Sequence, residues 1–179
     1  MKKQKISTKR LLRYRLLAYC TDSLILIAIV MAFQFGFSYL TNGMINNNLT
    51  TSWSLYAWVL GTATLPVYLY FILSEYSKKH ATIGKRRFGL EVTSDKGDVT
   101  LWQSFIRNFV KVIIPWEATH IALFFPTPVF AHPIGSEFRI ALFAPYIIFA
   151  IYGIYLLATK GRKTLHDAIA GTNVQYIKK

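Results

Sequence analysis

The sequence predicts an all-α integral membrane protein with four transmembrane helices, in which a short cytoplasmic β-hairpin and an interfacial helix separate the second and third spans. Hydrophobic residues make up 53% of the 179 residues, and the mean hydropathy is +0.33. A soluble domain of this length needs more charge to cover its surface. Long uncharged runs also separate compact groups of charge. We place the spans at about 16–40, 53–74, 112–130 and 140–158 of a single domain, 1–179.

The positive charges predict the topology. Seven Lys/Arg precede the first span, eight lie between the second and third, five follow the fourth, and Arg139 is left for the other side. Positive residues concentrate on the cytoplasmic side of bacterial inner-membrane proteins. Four spans with both termini in the cytoplasm satisfy that rule. The net charge of +13 is therefore topological, and no nucleic-acid partner is expected.

The first span contains one full charge, Asp22, and its 25 residues exceed the roughly 20 needed to cross a bilayer as a helix. The run is too long for a signal peptide and lacks a small-residue cleavage site. A polar, uncharged loop leads to the second span. Trp53, Tyr56 and Trp58 at its beginning are typical of the aromatic belt at a membrane interface.

The segment before the third span predicts two small elements. Two strand-like runs, 90–93 and 98–101, flank the turn-like residues 94–97 and predict a β-hairpin. Thr100 and Gln103 have the spacing of a capping box that opens a helix. An interfacial helix is expected because apolar and polar residues take opposite faces. The apolar face holds Leu101, Trp102, Phe105, Ile106, Phe109 and Val110, and the polar face holds Gln103, Ser104, Arg107, Asn108 and Lys111.

The third stretch is the least regular. It contains Glu117, His120 and three prolines, Pro115, Pro126 and Pro128, so we expect a kinked or locally irregular helix that either spans or re-enters. A re-entrant stretch would place the five basic residues at the C-terminus outside, and the charge rule therefore favours a span. The fourth stretch is uncharged and leads into a basic tail, as a final span does.

Asp22 is a candidate functional residue, because an ionised carboxylate inside a membrane costs on the order of 3 kcal/mol. It is seven residues from Arg15, so both lie on one helix face, about 10 Å apart along the axis. Asp22 is either an ion or proton site or one half of a structural pair. With Glu117 and His120 it could form a proton relay, although Glu-x-x-His alone is a weak signal and no metal site is expected.

No catalytic constellation is recognisable, and neither an enzymatic activity nor a cofactor is expected. Gly84-Lys85 lacks the spacing of a phosphate-binding loop. The glycines at 84 and 89 permit tight turns. Lys85, Arg86 and Arg87 offer charge to anionic lipid headgroups, unless this basic motif is simply a solvated loop.

Several motifs in order along the chain resemble the RDD family of small multi-pass membrane proteins. They are Arg15-x6-Asp22, Thr82-x-Gly84-Lys85-Arg86-x-x-Gly89-Leu90-x-Val92 with a following Gly97, Arg107-Asn108, and His166-Asp167-x-x-Ala170-Gly171-Thr172-x-Val174. The resemblance implies that Arg15, Asp22 and Asp167 are the residues for which the family is named. Lys111, Glu117 and His120 depart from that pattern.

The resemblance leaves two functions open. One is a secondary transporter of small ions, or a cation/proton exchanger, that uses intramembrane carboxylates. The other is a non-transporting accessory or assembly subunit of a membrane complex. Four helices enclose little interior, so we expect self-association or a membrane-complex partner. If Asp167 folds back to the inner interface, it could neutralise Arg15 and leave Asp22 free.

Overall fold

The computed structural model describes residues 6–41, 51–95, 97–125, 143–159 and 163–177. Within these ranges the protein is mainly helical and has one two-stranded sheet. The helices are α1 (Thr8–Leu40), α2 (Ser52–Tyr76), α3 (Ile83–Arg87), α4 (101–124), α5 (Ala144–Ala158) and α6 (Leu165–Ile169), and the strands are β1 (Leu90–Ser94) and β2 (Thr172–Tyr176).

Two helices, α1 and α2, are long and apolar enough to cross a membrane. Helix α5 is apolar but has 15 residues. The predicted third and fourth spans both extend into 126–142, which lies outside the described residues. The number of four spans therefore remains a prediction, while the helical character of 112–124 and 144–158 is confirmed.

Helix α1 has an inverted distribution of polarity. Its buried residues are Ala18 and Asp22, whereas large apolar side chains such as Leu24 and Phe35 are exposed. Ser7 caps the beginning of the helix by accepting a hydrogen bond from the backbone N–H of Arg10. An apolar exterior around a buried carboxylate is what lipid, as the surrounding solvent, requires.

Both long interior helices contain one π-helical turn before a proline. The turn spans Leu60–Thr64 in α2 and Phe109–Ile113 in α4, and Pro66 and Pro115 follow within two residues. Proline has no N–H, and its ring collides with the carbonyl four residues earlier. A wider turn accommodates the lost hydrogen bond. The irregularity expected near Pro115 is thus confirmed, in the form of a π turn.

Helix α4 is amphipathic in the predicted way, and the capping box of Thr100 and Gln103 opens it. Its polar face, however, is turned toward the protein. Ser104, Arg107 and Asn108 are buried, while Trp102 is exposed. The helix therefore supplies polar groups to the interior and presents apolar groups to the surroundings.

The predicted β-hairpin is wrong. Strand β1 pairs antiparallel with β2 near the end of the chain, with Leu90 opposite Tyr176 and Ser94 opposite Thr172. Residues 98–101 cannot serve as the partner strand, because Thr100 is the N-cap of α4 and the helix begins at the next residue. The pairing closes a small core of Leu90, Val92, Val99 and Val174 against Ala18 of α1.

Candidate functional site

The most heavily charged region is centred on Glu75, at the end of α2. This carboxylate is fully buried. It accepts hydrogen bonds from Lys85 Nζ at 2.5 Å, Arg107 NH1 at 2.7 Å and Asn108 Nδ2 at 3.0 Å. The three donors come from α3 and α4. Because an unpaired buried charge is strongly destabilising, these contacts hold the three helices together.

A second buried carboxylate, Asp167, joins the same network through Arg107. Arg107 Nε donates to Asp167 Oδ1 at 2.9 Å, and Arg15 NH1 lies 3.4 Å from Oδ2. Asp167 also caps α6 by accepting from the backbone N–H of Thr164 at 3.3 Å. Burial acts to raise the pKa of Asp167, but Arg107, His166 and Arg15 overcome it and hold that pKa below its usual range. We call Arg15, Glu75, Lys85, Arg107 and Asp167 the ion network.

Lys111 flanks the ion network without joining it closely. Its Nζ lies 4.0 Å from Glu75 Oε1, beyond hydrogen-bond distance, and 4.0 Å from the centroid of the Phe71 ring. Positive charge is crowded here. Burial, with Arg107 as a neighbour, lowers the pKa of the Lys85 ammonium to about 7, although Glu75 opposes that shift.

Asp22 binds the neighbouring backbone and hydroxyl groups instead of a cation. Its Oδ1 accepts from the Gly84 N–H and from Tyr70 Oη, both at 2.8 Å, and its Oδ2 accepts from Thr82 Oγ1 at 2.6 Å. A Cβ at Gly84 would lie 2.2 Å from the Ala18 carbonyl oxygen. Only glycine therefore lets α3 approach α1 closely enough for this contact.

The structure brings some predicted site residues together and separates others. The expected contact between Arg15 and Asp167 is present. As expected, Asp22 is not paired with Arg15, and its oxygens accept from neutral donors instead. Its use as a protonatable or cation-binding carboxylate stays a prediction. Glu117 follows Arg107 by ten residues, which is about 15 Å along a helix. Its contacts are with Tyr56 Oη at 2.7 Å and with His120 at 3.7 Å. In the described part of the chain no direct hydrogen bond joins this pair to Asp22, and the proton relay stays a prediction.

The basic motif at residues 84–89 is divided between interior and surface. Lys85 is buried in the ion network, while Arg86 and Arg87 are exposed. Gly89 adopts a φ of +65°, and its carbonyl accepts from the Ile177 N–H at 2.8 Å. The motif is therefore a structural junction between α1, α3 and the sheet.

Sequence reasoning missed Glu75 and His166 as members of this region. Glu75 follows an uncharged run and resembles an ordinary residue at a membrane boundary. One readable signal was overlooked: Thr164-x-x-Asp167 has capping-box spacing, which places Asp167 at the first turn of a helix. His166 next to it is buried, and burial lowers its pKa to about 3, so it is neutral at pH 7.

A cavity of about 260 Å³ adjoins the ion network between α1 and α5. Four cations and two carboxylates line its charged end, namely Arg15, Lys85, Arg107, Lys111, Asp22 and Asp167. Apolar side chains of α1 and α5 form much of the remaining wall, among them Leu16, Phe149 and Leu156. The cavity thus joins a charged end, in which cations outnumber carboxylates, to an apolar side.

The exterior and the buried charges together define a helical protein suited to a lipid environment, with one end of its bundle fixed by ion pairs. The model of the RDD family matches residues 10–171, and the chain belongs to that family. No curated protein and no solved structure is significantly similar to it. The resemblance seen in the sequence motifs is therefore confirmed.

Proposed function

We propose that this protein is a non-transporting accessory subunit of a bacterial cytoplasmic membrane complex, with both termini in the cytoplasm. One observation carries the proposal: among the described residues, the three carboxylates buried in and beside the ion network, Asp22, Glu75 and Asp167, are each held by hydrogen bonds from several elements. Asp22 accepts from α2, α3 and the residue before α3, and Glu75 and Asp167 accept from several elements each.

A transported proton or cation would have to displace these donors. Both oxygens of Asp22 are occupied, and each hydrogen bond to a charged group contributes roughly 1.5–3 kcal/mol. Protonation or cation binding at Asp22 would also weaken its hydrogen bond from the Gly84 N–H, which joins α1 to α3. A transport residue needs water access and exchangeable partners. Asp22 lines the cavity, but three donors hold both of its oxygens, and this is the environment of a structural anchor.

The ion network fixes the position of exposed residues that an accessory subunit could use to contact lipid or a partner protein. Arg86 and Arg87 are exposed beside buried Lys85, and Trp102 is exposed on the outward side of α4. Exposed cations at an inner interface attract anionic lipid headgroups or acidic partner segments, at about 1 kcal/mol for each charge. The exposed apolar face of α4 suits lipid or a neighbouring membrane helix.

Flux measurements in proteoliposomes test the proposal. Purified full-length protein is reconstituted, and proton and sodium flux is recorded across a pH gradient for wild type, Asp22→Asn and empty vesicles. We expect wild type to equal empty vesicles. Flux in wild type that disappears in folded Asp22→Asn would overturn the accessory role.

A second candidate, proton transport through Glu117, is favoured by a separate observation. Among the described residues, Glu117 Oε1 and His120 Nδ1 are buried atoms without a hydrogen-bond partner, and they are 3.7 Å apart. Such a pair can exchange a proton. In the same assay, flux lost in Glu117→Gln and retained in Asp22→Asn would favour this candidate.

A further inference from the structure

The cavity beside the ion network has an unbalanced charge. Four cations line it, namely Arg15, Lys85, Arg107 and Lys111, and the carboxylates within the same region are Glu75, Asp167 and Asp22. Among the described residues, these four cationic side chains outnumber the three carboxylates, and a buried cation without an acceptor is costly unless an anion neutralises it.

Lys111 is the cation best placed to meet such an anion. Its ammonium is 4.0 Å from the Glu75 carboxylate, whereas Lys85 and Arg107 donate to Glu75 at 2.5 and 2.7 Å. Lys111 is otherwise packed over the Phe71 and Tyr19 rings. An anion in the cavity would supply the hydrogen-bond acceptor that Glu75 does not.

The apolar side of the cavity indicates what carries the anion. Leu16 of α1 is 64% exposed and Phe149 of α5 is 53% exposed, and both line the cavity. The cavity therefore opens between two apolar helices onto the surface that faces lipid. Its volume of about 260 Å³ corresponds to roughly nine water molecules, each occupying about 30 Å³. This space suits a phosphate with a glycerol group and leaves acyl chains outside, along the helices.

We propose that this cavity binds the headgroup of a phospholipid with one net negative charge, its phosphodiester beside Lys111 and Arg15 and its acyl chains along Leu16 and Phe149. A phosphodiester oxygen would supply the acceptor that Glu75, 4.0 Å away, does not give the Lys111 ammonium. Arginine and lysine are the usual partners of phosphate oxygens. The inference holds whether the protein acts as a subunit or as a transporter.

Thermal unfolding of the purified full-length chain in a neutral detergent tests the proposal. Three probes are titrated, the two lipids below their micellar concentrations: dihexanoyl phosphatidylglycerol, dihexanoyl phosphatidylcholine and glycerophosphoglycerol, the phosphodiester headgroup without acyl chains. The first two share their chains and differ in net headgroup charge, and the third has the anion without chains. We expect phosphatidylglycerol alone to raise Tm, by about 5 °C at a hundredfold excess over Kd. An equal shift with glycerophosphoglycerol would identify a soluble phosphodiester as the ligand, and an equal shift with phosphatidylcholine would overturn headgroup recognition.

Two variants and a control locate the site. Lys111→Gln leaves Glu75 with its two closer cations and should abolish the shift, whereas exposed Arg87→Gln should retain it. If Lys111→Gln does not fold, Leu156→Trp fills the apolar side of the cavity without altering a charge and should abolish the shift as well. A full shift in either folded cavity variant, or an equal loss in Arg87→Gln, would overturn the proposal.

Discussion

The two ends of the helical bundle treat buried carboxylates differently. At the end that holds the ion network, which we call the charged end of the bundle, Glu75 and Asp167 each contact cations from at least two elements. Arg107 bridges the two carboxylates. At the other end, Glu117 accepts one hydrogen bond from Tyr56 and faces His120. A carboxylate that forms ion pairs with several elements stabilises their packing against one another. Substituting a carboxylate that accepts a single hydrogen bond should affect only its immediate surroundings. Substitutions at the two ends measure how far this difference extends.

Removing the Arg107 guanidinium that joins Glu75 to Asp167 should cause the largest loss of stability. Arg107→Met removes the shared partner of Glu75 and Asp167 and leaves two buried carboxylates undercompensated. We expect a loss of about 3–5 kcal/mol in the free energy of unfolding, measured by sodium dodecyl sulfate titration in mixed micelles. Exposed Arg87→Met is the control and should change stability by no more than about 0.5 kcal/mol. A similar loss of stability in both variants would show that the buried Arg107 contributes no more than an exposed arginine.

Gly84→Ala should weaken the charged end next most strongly. The added Cβ would meet the Ala18 carbonyl at 2.2 Å, and backbone cannot move aside as a side chain can. We expect a loss of about 1–3 kcal/mol in the same titration. Gly36 in the same helix as Ala18 has no atom within 4 Å of its added Cβ, so Gly36→Ala should be neutral or stabilising. A stable Gly84→Ala would contradict the close approach of α1 and α3.

The charged end should also be sensitive to mild acid. His166 has an ordinary pKa of 6.5 when unfolded, and burial lowers it to about 3 in the folded protein. The unfolded state therefore binds a proton first, so stability is full above pH 6.5 and falls as the pH drops toward 3. Between pH 6.5 and 5 we expect a loss of about 2 kcal/mol.

His166→Gln isolates that effect. The variant has no titrating group at this position, so its stability should be nearly flat between pH 6.5 and 5, where carboxylates remain largely ionised. Sodium dodecyl sulfate titrations at four pH values give the slope of the free energy of unfolding against pH for each protein. Parallel slopes for wild type and variant would assign the acid sensitivity to another group.

The smallest change is expected at the opposite end. Glu117→Gln keeps an oxygen that can accept from Tyr56 Oη and removes a charge whose ionisable neighbour, in the part of the chain that the structure describes, is His120. Polar contacts between membrane helices contribute about 0.6 kcal/mol on average, so the loss should stay below about 1 kcal/mol. A loss matching that of Arg107→Met would show that both ends are equally structural.

Local patterns in the sequence predicted the local parts of the structure. Hydropathy located the long helices, and the spacing of Thr100 and Gln103 located the beginning of α4. The motifs also paired Arg15 with Asp167 across the chain. The partner strand of β1 could not be predicted from the sequence, because strand pairing depends on which segments the tertiary structure brings together. Glu75 was missed for the same reason, since its partners Lys85 and Arg107 become neighbours only after α2, α3 and α4 pack.

The bridge made by Arg107 also imposes an order on synthesis of the chain. Arg107 meets Glu75, made 32 residues earlier, but Asp167 is made 60 residues later. At about 5–20 residues per second, that second partner arrives roughly 3–12 seconds afterwards. During this interval Arg107 and Arg15 both lack the carboxylate that joins them, and β1 lacks β2. Until α6 and β2 have been made, the nascent protein therefore contains two arginines without Asp167 and a strand, β1, without its partner.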